Sequence, residues 1–179
     1  MAKSESLVKR EIIYNGRIIN VYKDLIKIDG TNVESTREIV NHNGGVCAVV
    51  KTKDNKIKFV RQYRYAFSEF TLEVPAGKIE RGEEADATII RELEEEVGAK
   101  VNSIEKIAVI YPSPGFSQEI LHLYYTDDYT DTRKHFDFDE DLDEFEFSYE
   151  EALSKIKNGE IKDAKTICVI LMCRDKFLS

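Results

Sequence analysis

Cysteine and proline are scarce in this sequence: there are three of each in 179 residues. Cys47, Cys168 and Cys173 form an odd set, and each sits in an apolar run (VCAVV, ICVILMC). That makes a poor disulfide framework and suits buried free thiols in a reducing compartment. With nine glycines and three prolines, collagen-like and low-complexity classes are excluded. No run of 18 apolar residues occurs, and the start, MAKSESLVKREIIY, has no signal-type apolar region. The expectation is a soluble, cytoplasmic protein without a membrane partner. Two further absences, G-x-G-x-x-G and G-x-x-x-x-G-K-[ST], argue against Rossmann and P-loop nucleotide sites. Positive charge is also in deficit: 26 Lys+Arg face 34 Asp+Glu, a net −8. That balance speaks against a surface built to grip nucleic acid or anionic membrane.

The 42% of hydrophobic residues is enough for one core at this length. Residues 8–41 read as strands, with Asn15-Gly16 and Asp29-Gly30 as hairpin turns. Such an antiparallel unit, placed at 1–42, is too small to bury its own apolar face and needs the main domain or a second subunit. The domain at 43–179 reads as strands at Val46–Lys51, Ile57–Tyr63 and Phe70–Val74, a helix at Glu83–Val97, and strands at Ile104–Tyr111 and Ile120–Thr126. Residues 127–144 read as an acidic loop. Ser148-Tyr-Glu-Glu151 is a capping box that opens a helix ending at Asn158-Gly159, and a last helix begins near Asp163. The fold class is therefore α/β (α+β): a sandwich of mixed β-sheet and flanking helices, plus the N-terminal strand unit.

On a helical wheel, Ala85, Ile89, Ile90, Leu93 and Val97 make the core stripe of the central helix. Glu92 and Glu96 lie one turn apart along its edge, with Glu95 to the outside. Like charges at these spacings repel, so something cationic must compensate. Two readings are open on charge alone. One is a solvated acidic helix in which Arg91 pairs with Glu95. The other is a site for a hard divalent cation, Mg2+ or Mn2+, on carboxylate oxygens. Zinc is disfavoured because Cys/His ligand spacing is absent.

The surrounding spacing separates the two. Gly77, Glu83, Arg91-Glu92-Leu93-Glu94-Glu95-Glu96 and Gly98-Ala99 resemble the Nudix box, G-x5-E-x7-R-E-U-x-E-E-x-G-U with U aliphatic. All seven fixed letters are present over 23 positions, although Ala99 is small for the final U. The resemblance implies hydrolysis of a nucleoside diphosphate linked to a second moiety, dependent on Mg2+ or Mn2+. It implies the Ala76 carbonyl and the Glu92 and Glu96 carboxylates as metal ligands, with Glu95 assisting. Arg91 would orient the glutamates; Glu83 would support it or favour the helix N-terminus.

Outside the box, Tyr111-Pro-Ser-Pro-Gly-Phe-Ser-Gln-Glu119 places Pro114 sixteen residues after Gly98. This is similar to the downstream proline of the ADP-ribose pyrophosphatase branch. Leu72-Glu-Val-Pro-Ala-Gly77, Arg61-Gln-Tyr-Arg64 and Asp163-Ala-Lys-Thr166 resemble the same branch. That implies cleavage of ADP-ribose to AMP and ribose 5-phosphate, with a catalytic base in the acidic stretch 137–144: Glu140 first, Glu144 second. It implies Arg64 as a phosphate or ribose contact and Glu73 and Glu119 as nucleoside contacts. Tyr63, Tyr65 and Phe116 are candidates to stack on adenine, with core packing the commoner use for such residues; His122 reads as structural or surface. A homodimer joined through the N-terminal strands is implied as well. The alternatives are hydrolysis of another nucleotide sugar such as GDP-mannose, and a non-catalytic nucleotide-binding module.

The −8 is unevenly spread. Residues 137–151 carry −9 and residues 83–96 carry −6, which leaves +7 on the rest. An anionic nucleotide is compatible with that distribution.

Overall fold

The computed structural model describes residues 2–132 and 142–178. The chain divides into two compact units: residues up to Gly44 together with Tyr111–Ile120, and Gly45–Ile110 together with Leu121 onward. Segment 111–120 thus groups with the N-terminal strands, although it lies inside the 43–179 range read as the main domain.

The first unit is a three-stranded antiparallel sheet, β1 (Glu5–Asn15), β2 (Ile19–Ile28) and β3 (Glu34–His42), in that order. The expected turns are present, and Gly30 takes the positive φ of 74° that its turn demands. Arg10 forks onto the buried Asp24. Segment 111–120 is fastened to β3 by Val40, which donates to the Phe116 carbonyl at 2.9 Å and accepts from the Gln118 N–H at 2.8 Å.

The second unit carries two sheets. One is ordered β10 (Asp143–Ser148), β5 (Lys56–Arg64), β6 (Glu69–Glu73); the other is ordered β7 (Ala76–Lys78), β4 (Gly45–Val50), β9 (Leu121–Asp131), β8 (Ala99–Ile110). Strands β4 and β9 are parallel and central. Every residue of β4 is buried, because its two faces serve two cores. Cys47 and Val49 pack with Phe59, Leu123, Ile161, Val169 and Ile170, on the side of α2 (Tyr149–Lys157) and α3 (Ala164–Met172). Val46, Ala48 and Val50 pack with Ile89, Leu93 and Val97 of α1 (Ala85–Val97). A two-residue side-chain period explains the split. Burial pushes the thiols of Cys47 and Cys173 up to about 12, as inert packed cysteines require. The three cysteines are unpaired.

Helices α2 and α3 begin where the sequence placed them, and α1 begins two residues after the expected Glu83. Ser148 and Glu151 form a reciprocal capping box on α2, and Asp163 caps α3 by accepting from the Thr166 N–H at 3.0 Å. The strand readings need correction. β8 starts five residues before Ile104, directly after the helix-ending Gly98, and its mixed polar sequence hides it. The stretch 127–144 contains the end of β9 and the start of β10 as well as residues outside the description. β7 is three residues long, too short for any periodicity. No helix among the described residues is long and apolar enough to cross a membrane.

Candidate active site

Helix α1 departs from an ordinary amphipathic pattern because its inward face includes carboxylates. Its buried residues are Thr88, Ile89, Glu92, Leu93, Glu96 and Val97. Ile90, expected in the core stripe, is 40% exposed; it lies 100° round from Ile89, past the edge of the stripe. The buried arc runs the other way round from Ile89, through Glu96 and Glu92 to Thr88. Glu96 is 1% exposed and Glu92 8%. Isolated buried carboxylates are costly, so each should be engaged.

The partners come from two directions. Arg91, on the same helix, reaches Glu92 at 2.9 Å, Glu95 at 2.8 Å and Glu83 at 3.2 Å. Burial alone would lower the Arg91 guanidinium, but the bonds to Glu83 and Glu95 and the neighbouring charges raise it well above its ordinary value. The bond to Arg91 in turn holds the Glu83 carboxyl below its usual range. One cation thus serves three carboxylates, and Arg91 orders Glu83, Glu92 and Glu95 about a single guanidinium.

The second direction is the loop before the helix. The Ala76 N–H donates to Glu96 Oε2 at 3.0 Å. At Gly77 an added Cβ would fall 2.1 Å from Glu92 Oε1, so only glycine lets the loop lie against that carboxylate. Gly45 is tight to a lesser degree, since a Cβ there would stand 3.1 Å from the Gly77 carbonyl oxygen. Pairing of β7 with β4 sets Ala76 opposite Cys47 and Gly77 opposite Val46. At the other end, Gly98 closes α1 with φ 60° and donates to the Leu93 carbonyl. The two fixed glycines therefore do different work: close approach at one end, a left-handed cap at the other.

This donor set fits a hard divalent cation. Its side-chain donors are carboxylate oxygens, two of them buried, and the backbone of Ala76-Gly77 is packed against them by a contact that a Cβ would destroy. Among the described residues no group of three or more acidic, histidine or cysteine side chains is arranged to hold a metal ion. Backbone carbonyl and substrate oxygens would have to complete the coordination.

Of the expected substrate contacts, Glu73 and Arg64 come together. Glu73 is 2% exposed, and both of its oxygens are engaged. Oε1 accepts from Arg64 Nε at 2.7 Å and from Thr71 Oγ1 at 2.6 Å; Oε2 accepts from Arg64 Nη2 at 2.6 Å and from Lys165 Nζ. Burial pushes this carboxyl up, but Arg64 and Lys165 outweigh it and bring it down to about 2. Little of Glu73 is left to meet a nucleoside, whereas the partly exposed Arg64 is held by its fork. Glu119 stands in the first unit, where Oε1 lies 3.7 Å from His42 Nδ1.

Glu140, the first choice for the base, lies outside the described residues. Glu144 is on β10, half-buried. It pairs with Val60 of β5, which also pairs with Glu73 of β6. One row across the sheet thus carries Glu144, Val60 and Glu73 on the same face, the face on which Val60 packs with α1. Tyr63, Tyr65 and Phe116 are 50%, 87% and 54% exposed, so core packing, given as their commoner use, does not describe them. His122 is half-buried on β9, and its Nδ1 has no partner among the described residues.

The sequence reading missed Lys165. It is nearly buried and binds both Glu73 and Asp163. A lysine in the first turn of a helix, where the macrodipole disfavours cations, was the available signal.

Comparison with known proteins places this geometry. A NUDIX domain model matches residues 41–169. The chain is 36% identical over 168 residues to an ADP-ribose pyrophosphatase of Bacillus subtilis (strain 168), covering 93% of this chain and 90% of the relative. It is 38% identical, with the same coverage, to a methanol dehydrogenase activator of Bacillus methanolicus. A GDP-mannose pyrophosphatase of Cronobacter sakazakii (strain ATCC BAA-894) is 29% identical over 95% of both chains. The crystal structure of an ADP compounds hydrolase superposes with a TM-score of 0.83 at 16% identity, covering 96% of this chain and 93% of that one, which shows a shared fold. The matched span contains the buried carboxylates of α1 and the glycine loop packed on them, and the chain belongs to the NUDIX domain family.

Proposed function

We propose that this protein hydrolyses the diphosphate of ADP-ribose, giving AMP and ribose 5-phosphate, with Mg2+ or Mn2+ as the metal. The observation that carries this reading is the pair of buried carboxylates, Glu92 and Glu96, clasped to the Ala76-Gly77 backbone. The 36% identity to an ADP-ribose pyrophosphatase over nearly the whole chain supports the choice of substrate.

Glu92, Glu96 and the Ala76 carbonyl would hold the cation, with Glu95 assisting. When bound, it supplies neutralisation of the diphosphate oxygens and a more acidic water. Arg91 keeps Glu92 and Glu95 in place through its bonds to both. Arg64, oriented by its two bonds to Glu73, presents its guanidinium to phosphate or ribose. Glu119 is the remaining proposed substrate contact. Glu140 is the proposed general base that takes the proton from the attacking water, with Glu144 as second choice. The position of Glu144 in one cross-strand row with Val60 and Glu73 supports keeping it in contention.

The protein is further proposed to work as a cytoplasmic homodimer. Support for dimerisation comes from β1, all eleven residues of which are exposed, including Leu7, Val8, Ile12, Ile13 and Tyr14. The reduced, buried thiols suit a cytoplasmic setting.

GDP-mannose hydrolysis is the second reading, because several relatives at 29% identity are GDP-mannose pyrophosphatases. The same metal chemistry would serve, with a different base pocket. A purely binding role would give three crowded carboxylates and their arginine no task. Incubation with Mg2+ or Mn2+ and a panel of ADP-ribose, GDP-mannose, ADP-glucose, NADH and nucleoside triphosphates tests the proposal. AMP and ribose 5-phosphate formed fastest from ADP-ribose is the expected result. Preference for GDP-mannose would replace the substrate, and binding without turnover would remove the enzyme reading.

A further inference from the structure

Between Glu73 and Ala76 the chain leaves one sheet and enters the other. Glu73 is the last residue of β6, paired with Val60; Ala76 is the first of β7, paired with Cys47. Only Val74 and Pro75 lie between. This crossing delivers the Ala76-Gly77 backbone to the carboxylates of α1, so its position determines where the Ala76 carbonyl stands.

The crossing is held from outside by the first turn of α3. Thr166, fully buried, accepts from the Val74 N–H through Oγ1 at 3.0 Å. Lys165 Nζ binds Glu73 Oε2 and, at 3.0 Å, Asp163 Oδ2. Asp163 caps the same helix through the Thr166 N–H. On the far side the Pro75 carbonyl accepts from the Ala48 N–H at 3.1 Å, and the Ala76 N–H reaches Glu96. The segment is thus tied at a side chain or backbone atom of each of its four residues.

Lys165 is placed against its local preference. At the second position of α3 its charge opposes the helix dipole, and its side chain is only 13% exposed. Asp163 and Glu73 compensate it there. A single cation that joins the α3 cap to the last residue of β6 locks the helix onto the crossing. Arg64 holds the other edge of the same carboxylate. The cluster of Arg64, Glu73, Lys165 and Asp163 carries two charges of each sign.

We propose that Lys165 is a positioning residue of the hydrolytic site: through Glu73, and together with Thr166, it fixes the crossing so that the Ala76 carbonyl is set to join Glu92 and Glu96 on a divalent cation. Lys165 itself touches neither substrate nor metal. Glu73 belongs to the same device, with its carboxylate spent on Arg64 and Lys165 rather than on a nucleoside. The inference rests on the metal-dependent reading of the site given above.

The test compares full-length wild type with Lys165→Met, Lys165→Arg and the pair Thr166→Val and Thr166→Ser. Mn2+ binding without substrate is followed by electron paramagnetic resonance, ADP-ribose turnover by product separation, and folding by thermal melts. In folded Lys165→Met, Mn2+ binding is expected to weaken about tenfold. Its kcat is expected to fall by about tenfold or more, with KM changed by less than about threefold. Lys165→Arg restores most of both. Thr166→Val should weaken Mn2+ binding where Thr166→Ser does not, and this pair decides the matter if Lys165→Met fails to fold. Variants that melt earlier but bind Mn2+ and turn over as wild type does would overturn the proposal and leave Lys165 as a stabilising residue only. Wild type that binds Mn2+ but does not cleave ADP-ribose would remove the substrate reading, while the Mn2+ comparison still decides the role of Lys165.

Discussion

Helix α1 and strand β1 break the usual rule of burial in opposite directions. The helix takes Glu92 and Glu96 inside. The strand leaves Leu7, Val8, Ile12, Ile13 and Tyr14 each more than half exposed. Charged groups are rarely buried without a partner, and contiguous apolar surface is rarely left in water without one. Both departures have a local cause. On α1, Gly77 clears space for the Glu92 carboxylate and Arg91 balances part of the charge. On β1, Val8 and Ile13 sit at shifts in the β1–β2 register, and such bulges turn apolar side chains to both faces. The counterpart proposed for the helix is a cation, and the one proposed for the strand is a second subunit.

The largest effect is expected from Glu96→Gln. The amide keeps an oxygen for the Ala76 N–H, so the melting temperature should move by only a few degrees while turnover falls about a thousandfold, about 4 kcal/mol in the barrier. A variant of normal activity would reduce α1 to an acidic surface helix. Charging β1 attacks the other side of the comparison. Ile12→Lys with Ile13→Lys removes two aliphatic side chains from the proposed interface, worth about 3 kcal/mol or more. Sedimentation should then show monomer at concentrations where wild type is dimeric. Wild type that sediments as a monomer would end the dimer proposal.

Glu73 sharpens the comparison among buried carboxylates, because Arg64 and Lys165 both bind it. Its folded value of about 2 lies below the ordinary 4.5. The stability this contributes is present in full above about pH 5 and is lost as pH falls toward 2, on the order of 3 kcal/mol. Acid unfolding followed by circular dichroism should show that slope in wild type and a shallower one in Glu73→Gln. Gly77→Ala is the gentlest break. Its Cβ would meet Glu92, and the side chain must swing aside; turnover is expected to fall about tenfold, about 1.4 kcal/mol, with the fold retained.

The sequence made the box legible because its letters are constrained by chemistry: glycines where backbone must approach or turn left-handed, and glutamates at helical spacing. The caps on α2 and α3 were legible for the same reason. Strand β7 was not, being three residues whose pairing with β4 is purely tertiary. Strand β10 was hidden by acidic composition, although Phe145 and Phe147 alternate with polar residues along it. The candidate site divides in the same way. Glu92, Glu96 and Arg91 follow from spacing along one helix. The engagement of Glu73 by Arg64 and Lys165 depends on residues up to 92 positions apart meeting in the fold, which no local pattern encodes.

The central claim is that the buried carboxylates of α1 hold a divalent cation. Titration of Mn2+ into wild type and into the Glu92→Gln, Glu96→Gln double variant, followed by electron paramagnetic resonance with no nucleotide present, tests it directly. Binding by wild type, with loss of at least about a hundredfold in the folded double variant, is the expected result. Equal binding by the two proteins would contradict it.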